Sequence, residues 1–365
     1  MKSFDKNILI ILPGDKLAGS EKVLSLIASD LYSKGFKIFV VIWFVDRDKT
    51  GQWDEFRQNY TFYQIENNLF LGFYGLVSLL KNISNREKIA LTISSNITLN
   101  SVLGILRKVG FLKTGKLVIR EPSSPFLRYK KSFKLFMYQL KYFLGYKYAD
   151  LLIYQTTLMK ETFEKNVSIK IKKIILPNPI NIDHIKTSST HHIITNDETY
   201  IIAAGRFIHE KGFDILLRAF SLLKNKEIKL CILGSGPLDL FLKDIARELG
   251  INDRVIFPGF IDNPFPYFLN ASACVVSSRI EGFPNTLLQM LALNDRVLST
   301  NCCGDLYEIP GLEIINSLDP IEIAQSIEYV LTRKSNKEKR KEIDLFLKKR
   351  NIKNYTETIL EEINL

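Results

Sequence analysis

Arg206 and Lys211 stand five residues apart in AAGRFIHEKGFDILL (203–217), between an apolar run that stops at Gly205 and a helical pattern that starts near Gly212. Two cations where a strand gives way to a helix N-terminus can grip a diphosphate. Each charge-assisted contact of this kind contributes roughly 1.5–3 kcal/mol. Taken alone, the pair would equally suit a solvated loop. GSGPLDLF (234–241) also follows an apolar run and opens a helix. Gly234 and Gly236 would permit close backbone approach to a ligand or a tight turn. Asp239 fills the third glycine slot of a dinucleotide fingerprint, so that motif is incomplete. EGFPNTLLQMLAL (281–293) places the Glu281 carboxylate before a Gly282-Phe283-Pro284 bend and an apolar helix. Pro284 suits a first helical turn. Free N–H groups near Asn285, Thr286 and Leu287 would then receive phosphate. Glu281 would repel phosphate, so a hydroxylated sugar is its more natural partner. Gln289, one turn on, leans back toward the helix mouth.

Other constellations carry less. Asp46 and Asp48 form an Asp-x-Asp, which reads as a polar turn rather than a metal site. GDKLAGSE (14–21) lacks the lysine of a phosphate-binding P-loop, having Ser20-Glu21 at the critical positions. No metal is expected. His209, in the 206–211 loop, reads as solvated. Cys231, Cys274, Cys302 and Cys303 have neither CxxC nor disulfide-like spacing and read as buried thiols of a reducing compartment.

The elements that must position these residues follow from periodicity. Continuous apolar runs at 7–12, 36–44, 88–93, 116–120 and 151–154 alternate with helical patterns such as SEKVLSLIASDLYSKG (20–35). That alternation predicts a parallel sheet covered on both faces. ILPNPIN (175–181) interrupts it with two prolines around Asn178, a stiff connector. The alternation then restarts: YIIAAG, a helix over 211–224, KLCILG, a helix over 238–250, VIFPG, ACVVSS, a helix over 285–293 and RVLST. Two α/β domains joined near residue 178 are expected, with a charged helical tail.

GRFIHEKG, ILGSGP and EGFPNTLLQ, in that order, resemble the retaining GT-B glycosyltransferases, and more narrowly the large bacterial group (group 1, family 4) that includes O-antigen and capsule transferases. LAGSEKVLSLIASDLYSKG (17–35), KYADLLIYQT (147–156) and PNPI (177–180) extend the resemblance over most of the chain. It implies two Rossmann-like domains with a cleft between them: an acceptor-binding, membrane-facing domain over 1–178 and a nucleotide-sugar-binding domain over 179–347. A helix over 348–365 would return to the first. By position, Arg206 and Lys211 would hold the diphosphate and Glu281 the donor sugar; these three are the catalytic candidates. Gly19, Gly205, Gly234, Gly236, Phe260, Ile261, Gly282, Phe283, Pro284, Asn285, Thr286 and Leu287 would line the donor site. The family's second acidic residue, which bonds ribose, falls on Gln289, an amide that can still accept and donate. A histidine the family often has after its central N-domain strand is replaced by Arg120-Glu121 in VIREPSSP. The implied reaction is metal-independent and retaining, with a UDP- or GDP-sugar donor and no cofactor. A nucleotide-sugar 2-epimerase on the same fold and a non-catalytic nucleotide-sugar binder are the alternatives.

The net charge of +11 is concentrated. Residues 105–148 contain eleven Lys/Arg against Glu121 alone, together with ten Phe/Tyr. On a continuous helix over 126–144, Phe126, Phe133, Met137, Leu140 and Leu144 share a stripe, with Lys130, Lys134 and Lys141 beside it. Lys130, Lys131, Lys134 and Lys141 are therefore expected to meet anionic headgroups while the apolar edge dips below them. Nucleic acid is disfavoured, since no motif for it is present. No apolar run approaches the ~20 residues of a spanning helix, and no signal peptide is evident. The expected setting is the cytoplasmic face of the plasma membrane, with a lipid-linked saccharide as acceptor.

Overall fold

A computed structural model describes residues 6–14, 19–44, 59–65, 69–129, 132–190, 199–334 and 336–365. The chain divides into two compact units, Met1–Pro179 with Ile352–Leu365, and Ile180–Asn351.

The first unit runs β1 (Asn7–Gly14), α1 (Gly19–Ser33), β2 (Lys37–Phe44), β3 (Thr61–Gln64), α2 (Leu69–Arg86), β4 (Ile89–Ser94), α3 (Ile97–Lys108), β5 (Thr114–Arg120), α4 (Pro125–Arg128), α5 (Phe133–Gly145), β6 (Leu151–Tyr154), α6 (Thr157–Asn166) and β7 (Lys172–Ile175). Its seven strands are parallel in the order β3-β2-β1-β4-β5-β6-β7. β1 is apolar on both faces over Ile8–Leu12, and β4 is buried on both faces, as a sheet covered by helices on both sides requires. One core layer packs Leu9, Ile11, Phe39 and Leu117 against α2, α3 and α5. The other packs Ile8, Ile10 and Val40 against α1 and against Tyr355, Ile359 and Ile363. Tyr355 and Ile359 come from the last helix, α14 below, and Ile363 directly follows it. There Lys34 donates to Thr356 Oγ1 at 2.8 Å, and Thr356 Oγ1 donates to the buried Asp30 carboxylate.

The second unit runs α7 (Ile182–Ser188), β8 (Tyr200–Ala204), α8 (Phe213–Ser221), β9 (Lys229–Leu233), α9 (Asp239–Glu248), β10 (Val255–Gly259), α10 (Phe265–Asn270), β11 (Ala273–Val276), α11 (Asn285–Leu293), β12 (Val297–Thr300), β13 (Glu313–Ile315), α12 (Pro320–Thr332) and α13 (Lys337–Lys349). The chain then enters α14 (Ile352–Glu362) of the first unit. The six strands are again parallel, ordered β10-β9-β8-β11-β12-β13. Both sheets are doubly wound, and each reverses its strand order once, at β1/β4 and at β8/β11. Ligands of such sheets bind beyond the strand C-termini at that reversal. The second unit extends to Asn351, so 348–351 finish α13 and its cap rather than start the returning helix.

The continuous helix expected over 126–144 is corrected. Tyr129 is extended (φ −115°, ψ 124°), and Ser132 caps a new helix by accepting from Leu135 N–H at 3.3 Å. The extended backbone at Tyr129 and this serine cap outweigh the helical spacing. Phe126 thus sits on short α4, packed against Tyr142 and Phe163 in the core, off the stripe assigned to it. Lys130 and Lys131 lie outside the described residues. No described helix is long and apolar enough to cross a membrane.

Candidate active site

The loops that follow β8 and β11 meet at the reversal point of the second sheet, and glycines let them do so. Gly212 adopts φ 64°, and a Cβ there would lie 2.1 Å from Ser277 O. Gly234 adopts φ 142°, with Gly205 O 1.9 Å from where its Cβ would be. A side chain at either position would separate the loops. Phe207, fully buried, anchors the first loop; its N–H donates to Ser235 O at 2.9 Å and its C=O accepts from Leu238 N–H at 3.1 Å. The 206–211 loop, the Gly234–Gly236 turn and the start of α9 are therefore one tied assembly.

Into this assembly the bend before α11 brings its carboxylate. Lys211 Nζ and Glu281 Oε1 form a salt bridge with both side chains about four-fifths buried. Ser278 Oγ donates to the same oxygen at 2.8 Å, and Glu281 N–H donates to Cys302 O at 2.8 Å. Ser277 Oγ donates to Lys211 O at 3.0 Å. Arg206 is exposed and has no ion-pair partner among the described residues. Pro284 is the N-cap of α11, and the N–H groups from Asn285 onward begin the helix. Gly282, Phe283 and Pro284 are buried, Asn285 and Thr286 half-buried, Leu287 core. Gln289 is half-buried on the first turns of the same helix. Phe260, largely exposed, and Ile261, half-buried, follow β10 at the same strand edge. A Cβ at Gly205 would lie 3.2 Å from the Lys211 side chain. Gly19 belongs to the first unit, at the exposed start of α1.

One clamp here escaped the sequence reading. Arg279 donates to both carboxylate oxygens of Asp214, at 2.7 and 2.6 Å, and to His209 O at 2.7 Å. Its N–H also donates to Glu210 O at 2.8 Å. Burial pushes the Asp214 pKa up, but the facing guanidinium outweighs it and leaves the carboxyl below its usual range. A bidentate pair of this geometry locks the two loops together. The residues lie 65 positions apart on different loops, so no local sequence signal marked them. Cys302 and Cys303 are buried behind Glu281, and all four cysteines are free thiols.

In the first unit, Arg120 and Glu121 are 1% and 2% exposed, so neither can meet a ligand directly. Arg120 donates to Ser95 Oγ at 3.0 Å and to Asn178 Oδ1. Glu121 accepts from Tyr142 OH at 2.8 Å and Tyr146 OH at 2.9 Å. Burial drives its pKa up to about 8, against the lowering effect of those hydroxyls and of Arg120. Glu121 thereby fastens the end of β5 to α5 and the turn after it. Glycine contact completes the fastening: a Cβ on Gly145 would lie 2.2 Å from Ser101 O of α3. The outer side of α5 is apolar and open. Phe133 is 78% exposed, Phe136 and Phe143 57%, and Met137, Leu140 and Leu144 are also exposed. Lys134 stands over the Tyr129 ring; Lys141 instead turns to donate to Thr98 Oγ1 at 2.9 Å.

A cavity of about 530 Å³ lies at the far end of α11, among Asn294, Arg296, Arg333 and Arg340. Arg333 and Arg340 donate to Asp295 O, Gly311 O and Leu291 O. These cations compensate carbonyls at and beyond the C-terminus of α11, at the opposite end of the helix from the Glu281 bend.

Residues 185–349 match the family model of the glycosyl transferases group 1. An uncharacterized glycosyltransferase of Methanocaldococcus jannaschii is 32% identical over 250 residues, 65% of this chain and 60% of that protein. The N-acetylgalactosamine-N,N'-diacetylbacillosaminyl-diphospho-undecaprenol 4-alpha-N-acetylgalactosaminyltransferase of Campylobacter jejuni is 32% identical over 198 residues, 54% of each chain. The chain thus spans a little over half the length of these relatives. In fold it is similar to Anabaena Alr3699/HepE in complex with UDP and glucose, with a TM-score of 0.79, 14% identity, and 98% of this chain and 99% of that one covered. The fold is GT-B.

Proposed function

We propose a reaction for this chain, which belongs to the group 1 glycosyltransferases: a sugar passes from a UDP- or GDP-sugar to a lipid-linked saccharide, with retention and without a metal ion. The setting is the cytoplasmic face of a membrane, in the synthesis of a surface polysaccharide such as O-antigen or capsule. One observation carries the reading. Exposed Arg206, the Lys211–Glu281 pair and the N–H groups at the α11 mouth converge where a doubly wound sheet takes its ligands.

The parts divide by charge. Negative charge grows on the leaving diphosphate, and Arg206, Lys211 and the α11 N–H groups neutralise it from fixed positions. Glu281, held by Ser278 and the Cys302 carbonyl, is oriented toward sugar hydroxyls. The acceptor hydroxyl attacks the anomeric carbon on the face that the nucleotide leaves. Its proton passes to a phosphate oxygen as the glycosyl–phosphate bond breaks and nucleoside diphosphate departs. The acceptor class is supported by the Campylobacter relative, whose name specifies a diphospho-undecaprenol acceptor, and by the apolar outer side of α5.

The test is release of nucleoside diphosphate from a panel of UDP- and GDP-sugars, with EDTA present and crude lipid-linked acceptor added. Acceptor-dependent release from one donor is expected. Binding of nucleotide without release from any donor would overturn the catalytic reading.

A further inference from the structure

Arg350 caps α13, and its guanidinium lies between two rings, 5.0 Å from the centre of Phe283 and 4.5 Å from that of Phe346. Phe283 is the middle residue of the bend that carries Glu281 into the donor site. Arg350 Nη1 is buried and has no hydrogen-bond partner among the described residues. Burial lowers the Arg350 pKa to about 10, while Glu308 and Asp305 counter it, so the group stays charged at neutral pH. Burying an N–H of a cation without a partner is costly. An apolar side chain of similar volume would fill the same gap between two rings without that cost.

What surrounds Arg350 accounts for the charge. On one side is the Phe283 bend. The Arg350 charge also acts on Asp305 and Glu308 of the loop after β12, where Asp305 holds φ 64°, a left-handed conformation that a residue with a side chain seldom adopts. The same loop supplies the Cys302 carbonyl that holds Glu281 N–H. Arg350 therefore backs both walls that fix the donor-site carboxylate. Cation–π attraction to Phe283 holds the bend without a directional bond.

We propose that Arg350 is a positioning residue for the transfer step: stacked behind Phe283, it fixes the Glu281–Asn285 bend against the Cys303–Asp305 loop, and its charge adds to the positive field at the α11 mouth. The inference rests on the donor-site reading above and deepens it.

Arg350→Met and Arg350→Lys test it, with kcat, donor KM and melting temperature measured for each. Arg350→Met is expected to keep the melting temperature while lowering kcat about tenfold or more, with donor KM moved less than threefold. Arg350→Lys, which keeps the charge, is expected to recover part of kcat. If Arg350→Met fails to fold, Arg350→Lys and Phe283→Leu still decide. Each should lower kcat alone, and the double variant should lose less than the product of the two. Unchanged kcat in folded Arg350→Met, or independent losses in the double variant, overturns the role. Turnover by the wild type separates that result from failure of the glycosyltransferase reading, which would show as no release by any variant.

Discussion

Arg206 is exposed and free of ion pairs among the described residues, whereas Lys211 is tied to Glu281, so replacing them has different consequences. On the proposed role, Arg206→Ala removes a phosphate contact and breaks no ion pair among the described residues. It should weaken nucleoside diphosphate binding roughly ten- to hundredfold, the equivalent of about 1.5–3 kcal/mol, and leave nucleoside binding nearly unchanged. Lys211→Ala removes a contact and also leaves the Glu281 carboxylate without its cation, so turnover should fall further than with Arg206→Ala. Calorimetric titration with both ligands checks this; equal losses for nucleoside and diphosphate would contradict the phosphate roles. These residues were legible because glycines and a proline mark the loops that hold them. Gly205, Gly212 and Pro284 declare backbone geometry locally. The Arg279–Asp214 clamp was not legible, since its two halves come from different loops and only the fold joins them. Arg350 was hidden for the same reason: in sequence it is one cation in a charged tail.

Helix α5 shows where periodicity stops being informative. Apolar spacing identified an amphipathic segment but not which apolar residues face inward. Tyr142, Tyr146 and Gly145 turn inward because Glu121 and Ser101 receive them, and a buried carboxyl cannot be recognised in VIREPSSP alone. The outward set then becomes Phe133, Phe136, Met137, Leu140, Phe143 and Leu144. Aromatic and aliphatic insertion, more than lysine attraction, should hold this helix on a bilayer. Replacing Phe133, Phe136 and Phe143 together by serine should abolish most binding to anionic liposomes in a flotation assay, even at high salt. Lys134→Gln should cost little and only at low salt. Retained binding by the triple variant would remove the membrane reading. The inner strands, by contrast, were legible to within about two residues, because a parallel strand covered on both faces is largely apolar; the edge strands β3, β7 and β13, short and partly polar, gave no such run and were missed.

Across the molecule, stability should carry the signature of Glu121. Its pKa in the folded state is raised from 4.5 to about 8. The folded protein therefore holds a proton that the unfolded chain releases. The resulting stabilisation is fully present below about pH 4.5 and is lost as pH rises through about 8; it is on the order of a few kcal/mol. Melting temperature should fall between pH 6 and pH 9, and Glu121→Gln, which stays neutral, should flatten that fall. An unaltered slope in the variant would show that Glu121 is ionised throughout.

The two units differ in how they can be made. Ile180–Asn351 is one uninterrupted stretch, whereas the other unit lacks Tyr355, Ile359 and Ile363 until α14 has been added. During synthesis the later-encoded unit can close first, while the earlier one waits with the apolar flank of α1 uncovered through the whole of Ile180–Asn351. Nascent chains halted before Ile352 should accordingly engage chaperones or aggregate through that flank, and a fragment ending at Pro179 should need α14 supplied in trans to stay in solution.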